Sequence, residues 1–209
     1  MNPQKFSRDD VIERAARLLA APPGNAFHPV APRHGDHVLN AGLAEAAARP
    51  AAVLVPMVAR ADGLTILLTQ RAAALRDHSG QIAFPGGKID ADETPLAAAL
   101  REAFEEIGLA RHHITPLGYL DPYQTGTGFR IQPVVALVAP PFTLALDQRE
   151  VESAFEVPLA FLMDIANYQR HSRHWNGAER FYYAMTHGER YIWGATAGIL
   201  RNLYERLYS

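Results

Sequence analysis

The stretch from Thr94 to Gly108 constrains the fold most strongly, because its sequence marks both ends of a helix and the surface through which that helix packs. Thr94 supplies an N-cap side chain, Pro95 suits the first helical position, and Gly108 suits the residue that ends a helix. Between them one apolar stripe recurs at helical spacing, made of Leu96, Leu100, Ala103, Phe104 and Ile107. The sequence therefore predicts a helix over 95–107 that packs on a sheet through this stripe.

Apolar segments on both sides of this helix predict the strands of that sheet. "AAVLVPMVAR" and "LTILLTQR" flank Asp62-Gly63, a turn signal, and predict a hairpin. "QIAFPGG" predicts a short strand that runs into a glycine loop, and "ITPLGYLD", "RIQPVVALVAP" and "REVESAFEV" predict three more strands. Near the C-terminus, "RHWNGAERFYYAM" predicts a hairpin about Asn176-Gly177, and "YIWGATAGILRNLYERL" predicts a final amphipathic helix.

The order of these elements predicts one domain over residues 1–209, with a mixed sheet and helices on its faces, in the α+β or the α/β class. A helical extension is expected at about residues 1–50. Its first helix has one apolar face and ends at "APPGN"; the face is formed by Val11, Ile12, Ala15, Leu18 and Leu19.

Composition excludes several classes of function. The chain has 209 residues and a net charge of −2, so we expect no nucleic-acid or anionic-membrane partner. It contains no cysteine, which excludes disulfides, thiol catalysis and cysteine-ligated zinc and suits a reducing cytosol. No apolar run reaches the length of a membrane span, and the N-terminus mixes acids and bases unlike a secretory signal. We therefore expect a soluble, cytoplasmic protein.

Three glutamates crowd the helix that begins at Pro95. Glu102, Glu105 and Glu106 stand at i, i+3 and i+4, a spacing at which like charges destabilise a helix. We expect them opposite the apolar stripe, beside the small side chains of Ala98 and Ala99. One interpretation is a solvated acidic face. The other is a ligand set for a hard divalent cation, Mg²⁺ or Mn²⁺, which carboxylates bind well.

The spacing of residues 87–109 favours the second interpretation. Gly87 is followed after five residues by Glu93 and, after seven more, by "REAFEEIGL". This pattern resembles the signature of the Nudix hydrolases, G-x5-E-x7-R-E-U-x-E-E-x-G-U, where U is aliphatic. Every fixed position matches, although Ala103 is smaller than the usual aliphatic residue.

The resemblance implies an α/β fold, the α/β/α sandwich of the family with its mixed sheet, and hydrolysis of a diphosphate, an acid anhydride linked to a nucleoside. It implies that Glu102 and Glu106 bind Mg²⁺ or Mn²⁺, with the Gly87 carbonyl as a further ligand. Glu105 is then another metal ligand or the catalytic base. Glu93 and Arg101 are expected to pair and to support the loop structurally; both belong to the matched signature.

The segment before the signature narrows the expected substrate. "LLTQRAAALRDHSGQIAFPGG" resembles the additional motif of the coenzyme A pyrophosphatases within that family. The resemblance implies cleavage of coenzyme A, or of its acyl or oxidised forms, into 3′,5′-ADP and a 4′-phosphopantetheine fragment. Arg71, Arg76 and Lys88 are expected to bind the phosphates. For the arginines, pairing with Asp77 or Asp90 on the surface is the alternative.

Other functions within the same fold stay open. A Nudix enzyme acting on NADH, ADP-ribose or a nucleoside triphosphate is one alternative, and a non-catalytic nucleotide-binding module is the other. The retained signature acids favour catalysis. The expected partner is a small nucleotide substrate, and assembly into a homodimer stays open.

Four further positions have two interpretations each. Glu150 or Glu152 provides a fourth acid or lies on a solvated strand edge. Trp193 and Phe129 stack on adenine or, as we expect, pack in the core. A loop that contains Thr125 and Thr127 also has two interpretations, since it closes over substrate or simply connects a hairpin.

Overall fold

The structure, a computed structural model, describes residues 6–20, 33–40, 49–73, 80–175 and 177–209. Its helices are α1 (Arg8–Leu18), α2 (Asp36–Leu39), α3 (Pro95–Ile107), α4 (Leu159–Leu162) and α5 (Ala195–Leu207). Its strands are β1 (His34–Gly35), β2 (Arg49–Arg60), β3 (Gly63–Arg71), β4 (Ile82–Ala83), β5 (Gly86–Lys88), β6 (Ile114–Tyr119), β7 (Tyr123–Gln124), β8 (Phe129–Val138), β9 (Val151–Pro158), β10 (Gln169–Trp175), β11 (Ala178–His187) and β12 (Arg190–Trp193).

Nine of these strands form one mixed sheet, and β10, β11 and β12 form a separate antiparallel sheet. The centre of the large sheet is β2, which runs parallel to β8 and antiparallel to β3. The short β5 pairs with the beginning of β2, so that Gly87 lies opposite Ala52. This pairing fixes the glycine segment against the middle of the sheet.

Alternation along β2 divides the core into two layers. Leu54 and Val58 pack with α3 on one face of the sheet, whereas Val55 and Met57 pack with α5 on the other. Successive strand residues point to opposite faces, so one apolar strand serves both layers. The α/β fold with a mixed sheet between helices is therefore confirmed.

The helical extension packs on the second of these layers. Val11 of α1 is buried in the same cluster as Leu203 of α5. Within α1, Ala15 is also buried, so the predicted apolar face is present. Parts of the N-terminal prediction lie outside the described residues, including 21–32, which contain "APPGN", and 41–48. No helix in the described ranges is long and apolar enough to cross a membrane.

The predicted hairpins are confirmed with small differences in their turns. Arg60 pairs with Gly63, so the connecting residues of the β2–β3 hairpin are Ala61 and Asp62 rather than Asp62-Gly63. Gly63 has φ 133°, a conformation that favours glycine at the first strand position. The β10–β11 hairpin is confirmed by the pairing of Trp175 with Ala178, while Asn176 of the predicted turn lies outside the described residues.

Two predicted boundaries are wrong. The glycine segment after "QIAF" is itself a strand, β5, and not a loop. The final helix begins at Ala195, because the preceding residues of the predicted helix form β12, in which Trp193 pairs with Ala184. Gly194 has φ 63° and separates this strand from the helix. An apolar segment that continues from strand into helix does not show this boundary.

The ends of α3 are as predicted, and its packing stripe is confirmed at Leu100, Ala103 and Ile107 but not at Phe104. The Thr94 hydroxyl accepts a hydrogen bond from the Ala97 amide at 3.1 Å, and Gly108 has φ 68°. Phe104, predicted in the packing stripe, is 60% exposed. Ala98 and Ala99, predicted beside the acidic face, are fully buried. The helix is rotated from the predicted orientation, so that two of its glutamates face the β5 segment instead of solvent.

Candidate active site

Arg101 on the exposed flank of α3 joins the helix to the β5 segment. Its Nε and Nη2 atoms donate to the two carboxylate oxygens of Glu93, each at 3.0 Å. Nη2 also donates to the Lys88 carbonyl at 3.1 Å. These hydrogen bonds lower the pKa of Glu93 and hold it ionised. The pairing expected between Glu93 and Arg101 is thus present, and it ties the chain around 88–93 to the helix.

Glu102 lies directly against the backbone of Gly87. A Cβ atom at position 87 would be 2.4 Å from Oε1 of Glu102, so any larger residue would displace this carboxylate. Arg101 Nη1 donates to the same oxygen at 2.9 Å. Burial nevertheless raises the pKa of Glu102, because the carboxylate has lost much of its contact with water.

Glu106, one turn further along α3, is 5% exposed and is the most buried acid of the signature. Its Oε2 accepts a hydrogen bond from the Gly86 amide at 3.2 Å, and Arg71 Nη1 lies 4.0 Å from its Oε1. Burial raises the pKa of Glu106 to about 7, and the negative charges of Glu102 and Glu150 act in the same direction. The site therefore holds two adjacent carboxylates that are incompletely compensated.

Glu105 is oriented differently from its two neighbours. Its side chain is 58% exposed and accepts a hydrogen bond from Arg101 Nη1 at 3.0 Å. Among the residues that the structure describes, no three Asp, Glu or His side chains already converge as a metal-binding cluster. The structure thus brings together Glu102, Glu106 and Gly87, and leaves Glu105 on the solvent side of the same helix.

The donors in this site suit a hard divalent cation. Two partly dehydrated carboxylates face the glycine backbone, and the space beside Glu102 would be filled by a single Cβ atom. Such a cation prefers oxygen ligands and offsets the cost of burying two like charges. The residues present therefore fit Mg²⁺ or Mn²⁺.

Of the predicted phosphate-binding cations that the structure describes, Arg71 lies against the acids, through its 4.0 Å contact with Glu106. The surface alternative of pairing with Asp90 is wrong for Arg71, because the Asp90 carboxylate lies 3.8 Å from Arg101 instead. Lys88 is exposed at the end of β5. Arg76 lies outside the described residues, as does Asp77.

Between the two candidates for a fourth acid, the structure favours Glu150. Its negative charge contributes to the raised pKa of both Glu102 and Glu106. Its carbonyl accepts a hydrogen bond from the Ala72 amide at 2.9 Å, next to Arg71. Glu152 lies two residues further along, on β9.

Sequence reasoning missed the residue that fixes a neighbouring turn. Asp36 accepts hydrogen bonds from the Tyr123 hydroxyl and the Gly126 amide, both at 2.7 Å. The turn is the segment 125–128 between β7 and β8, which pair with each other through Tyr123 and Ile131. Within it, the Thr125 side chain accepts a hydrogen bond from the Phe129 amide at 2.9 Å. The turn thus connects a hairpin. Asp36 has no local motif, so its role could be found only from the folded chain.

An acidic helix facing a glycine strand on an α/β/α sandwich is the arrangement of a hydrolase of acid anhydrides, and comparison with protein families agrees. Residues 48–181 match the NUDIX domain. The chain belongs to the Nudix hydrolase family and is a pyrophosphatase by class. Members of this family act on small-molecule substrates and generally use divalent metal ions.

Curated relatives match most of the chain. The Nudix hydrolase NudL of Klebsiella pneumoniae subsp. pneumoniae is 39% identical over 178 residues, which are 85% of this chain and 88% of the relative. NudL of Cronobacter sakazakii is 41% identical over 156 residues, covering 74% and 81%. Among solved structures, the Nudix hydrolase RenU of M. smegmatis aligns with a TM-score of 0.47 at 27% identity, covering 54% of this chain and 72% of that one.

The ion pair at the base of the site allows a first test. We expect Glu93→Gln to lower the thermal midpoint measurably, because it removes one charge from a bidentate pair that is mostly shielded from water. Activity should fall less than in Glu106→Gln, since Glu93 contacts Arg101 and not the other acids. Differential scanning fluorimetry and initial rates measure the two effects. A larger activity loss for Glu93→Gln than for Glu106→Gln would contradict the supporting role.

Proposed function

We propose that this Nudix hydrolase cleaves the diphosphate of coenzyme A, or of its acyl or oxidised derivatives, to give 3′,5′-ADP and 4′-phosphopantetheine or its derivative. One observation carries the proposal. Arg71, inside the segment that resembles the coenzyme A pyrophosphatase motif, lies 4.0 Å from the buried acid Glu106. The described end of the substrate-selective segment therefore borders the acidic site.

In this proposal Glu102, Glu106 and the Gly87 carbonyl hold Mg²⁺ or Mn²⁺. The bound ion neutralises phosphate charge and lowers the pKa of a bound water. Glu105 acts as a further ligand or as the base, and either role requires it to exchange its contact with Arg101. Glu150 provides the fourth acid. Glu93 and Arg101 position the β5 segment without contacting substrate.

The phosphate-binding cations complete the site. Arg71 contacts the diphosphate beside Glu106, while Arg76 and Lys88 contribute charge from the same segment and the end of β5. We assign residues 1–209 to a single Nudix domain with its N-terminal helical extension packed on α5. The partner is a small nucleotide, with no nucleic acid or membrane involved. The protein acts in the cytoplasm, and its assembly into a homodimer is tested by light scattering.

The deciding experiment measures hydrolysis of a panel of diphosphates with Mg²⁺ and with Mn²⁺. Release of terminal phosphates is followed with alkaline phosphatase, and products are identified by chromatography. Coenzyme A and its acyl or disulfide forms should be cleaved best, yielding 3′,5′-ADP. A strong preference for ADP-ribose, NADH or a nucleoside triphosphate would replace the proposal by the corresponding Nudix activity. Binding without hydrolysis of any compound would favour a nucleotide-binding module.

Arg71 provides the test of the substrate-selective segment. We expect Arg71→Ala to lower kcat/KM roughly 10- to 150-fold, because charge-assisted hydrogen bonds are worth about 1.5–3 kcal/mol. Coenzyme A and dephospho-coenzyme A should weaken in parallel, since Arg71 lies beside Glu106 and serves the diphosphate. Arg111→Ala is the charge-matched control, because Arg111 is exposed in a short helical turn at 111–113. Unchanged hydrolysis by Arg71→Ala would remove the contact from the proposal.

A further inference from the structure

The small sheet presents a face of arginines and aromatic rings away from the core. Arg173 pairs with Arg180 across β10 and β11, so both side chains project from the same face. Trp193 of β12 projects from this face as well, because its partner Ala184 is four residues from Arg180 on β11. The opposite face packs into the core through Met185 and Ile192. Neither packing in the core nor the signature at residues 87–109 explains the arginines and aromatic rings on this outer face.

Part of the face forms one wall of an open cleft. The opposite wall is formed by α2 and by the turn between β7 and β8, which Asp36 fixes through the Gly126 amide and the Tyr123 hydroxyl. The lining side chains that matter here are Arg173, Trp175, Arg180, Tyr182, Trp193 and Thr127. The expectation that Trp193 packs in the core is wrong, and Phe129 likewise lies outside the core, beneath the Arg49 guanidinium.

The two arginines of the cleft are not neutralised. Within the described residues neither Arg173 nor Arg180 forms a salt bridge, and Nε of Arg180 is buried with no hydrogen-bond acceptor. The Arg173 guanidinium lies 4.7 Å from the centre of the Trp193 ring. Buried donors normally have an acceptor, and paired guanidinium groups suit the oxygens of a phosphate. The acid of the cleft, Asp36, already accepts two hydrogen bonds.

The cleft lies at the same end of the large sheet as the acidic site. Gly194, which lines it, has its Cβ position 3.5 Å from Nε2 of Gln81, and the Gln81 carbonyl accepts the Arg71 amide at 3.0 Å. On the other side, the Thr127 carbonyl accepts Nη2 of Arg49 at 3.3 Å. Arg49 begins β2, the strand whose Ala52 pairs with Gly87. A ligand held in the cleft therefore lies at the same end of the large sheet as the diphosphate site.

We propose that this cleft binds the phosphorylated adenosine end of the substrate, with Arg173 and Arg180 contacting the 3′-phosphate. The aromatic rings around the arginines offer faces for the base. This inference rests on the proposed cleavage of coenzyme A, and it assigns different phosphates of the substrate to two parts of the protein. Arg71 serves the diphosphate, and the cleft recognises the phosphate that distinguishes coenzyme A from its dephospho form.

The chain supplies its own probe for this site. It contains two tryptophans, Trp175 and Trp193, and both line the cleft. Titration of the full-length protein with adenosine 3′,5′-bisphosphate, with Mg²⁺ and with a chelator, should therefore change tryptophan fluorescence in both conditions. Arg173→Ala and Arg180→Ala should each weaken binding at least tenfold, and AMP should bind the wild type at least tenfold more weakly than the bisphosphate.

Arg170→Ala is the matched control, since Arg170 lies on the opposite face of β10, over the Phe181 ring. Arg173→Lys, which keeps the charge at an exposed position, should bind between wild type and Arg173→Ala. Thermal midpoints of all variants separate loss of binding from loss of folding. Absence of a fluorescence response, equal affinity for AMP, or wild-type affinity in both alanine variants would overturn the inference.

The same measurements separate this inference from the proposed function. A wild type that binds the bisphosphate through both arginines but does not cleave coenzyme A would retain the cleft and reject the reaction. Alternatively, the wild type cleaves coenzyme A while Arg173→Ala and Arg180→Ala discriminate against dephospho-coenzyme A as strongly as the wild type does. That result would support the proposed reaction and contradict the role of the cleft.

Discussion

Replacing Glu106 with glutamine is expected to lower turnover about 10³-fold or more, a loss of roughly 4 kcal/mol in transition-state stabilisation. The reason is that Glu106 is the most buried acid of the site and lies between the Gly86 amide and Arg71. Glutamine keeps the shape and the hydrogen bond but cannot supply the negative charge. Steady-state rates with coenzyme A measure the effect, and near-normal turnover would remove Glu106 from the ligand set.

The same variant is expected to be more stable than the wild type in the absence of metal. The folded state raises the pKa of Glu106 from 4.5 to about 7, so the folded state binds more protons between these values. Glu106 therefore lowers the free energy of unfolding of the wild type progressively as pH rises from about 4.5 to about 7. Below about 4.5 the carboxyl group is protonated in both states, and this destabilisation is absent. At pH 8 the variant should gain at most about 3 kcal/mol.

Chemical unfolding of metal-free protein at pH 5 and pH 8 measures this difference. The advantage of Glu106→Gln over the wild type should grow with pH. Glu13→Gln, an exposed change on α1, is the control and should show no such trend. A variant that is destabilised at pH 8 would mean that the ionised carboxylate stabilises the fold.

Removal of divalent cations should abolish activity, and Mg²⁺ or Mn²⁺ should restore it. Glu106 must lose its proton to bind a cation, so protons compete with the metal below its pKa of about 7. Mn²⁺ should accordingly bind about tenfold more weakly at pH 6 than at pH 8. Calorimetric titration at the two pH values measures this ratio.

Glu106→Gln is the control for the pH effect, since it removes the titrating group and should bind Mn²⁺ weakly with little dependence on pH. Full activity of the wild type after exhaustive chelation would exclude the metal assignment. Mn²⁺ affinity that does not change between pH 6 and pH 8 would place the ion away from Glu106.

The parts of the fold that local sequence determines were predictable. Thr94, Pro95 and Gly108 set the ends of α3 through their own backbone and capping preferences. Apolar spacing predicted the burial of Leu100, Ala103 and Ile107, but not of the carboxylates, because that rule directs carboxylates to solvent. Glu102 and Glu106 lie instead on the buried side, and Phe104 is left exposed. A site that binds charged ligands overrides the usual segregation of polar and apolar residues.

The site itself was predictable only where its residues are close in sequence. The pairing of Glu93 with Arg101 follows from the signature, within which they are eight residues apart. The cleft combines α2, the β7–β8 turn and the small sheet, so Asp36 and Arg180 meet only through tertiary folding. Neither residue has a neighbouring motif. Strand register, which places Arg173 beside Arg180, decides which side chains share that surface.

Arg101 gives α3 an internal counter-ion. One guanidinium contacts Glu102 and Glu105 through Nη1, and Glu93 through its other two nitrogens. Repulsion among Glu93, Glu102 and Glu105 is thereby partly offset before any cation binds, whereas Glu106 lies beside Arg71 instead. We therefore expect the chain to reach its native state without metal, so that folding and metal binding are separate events. The cation is then needed for activity rather than for folding.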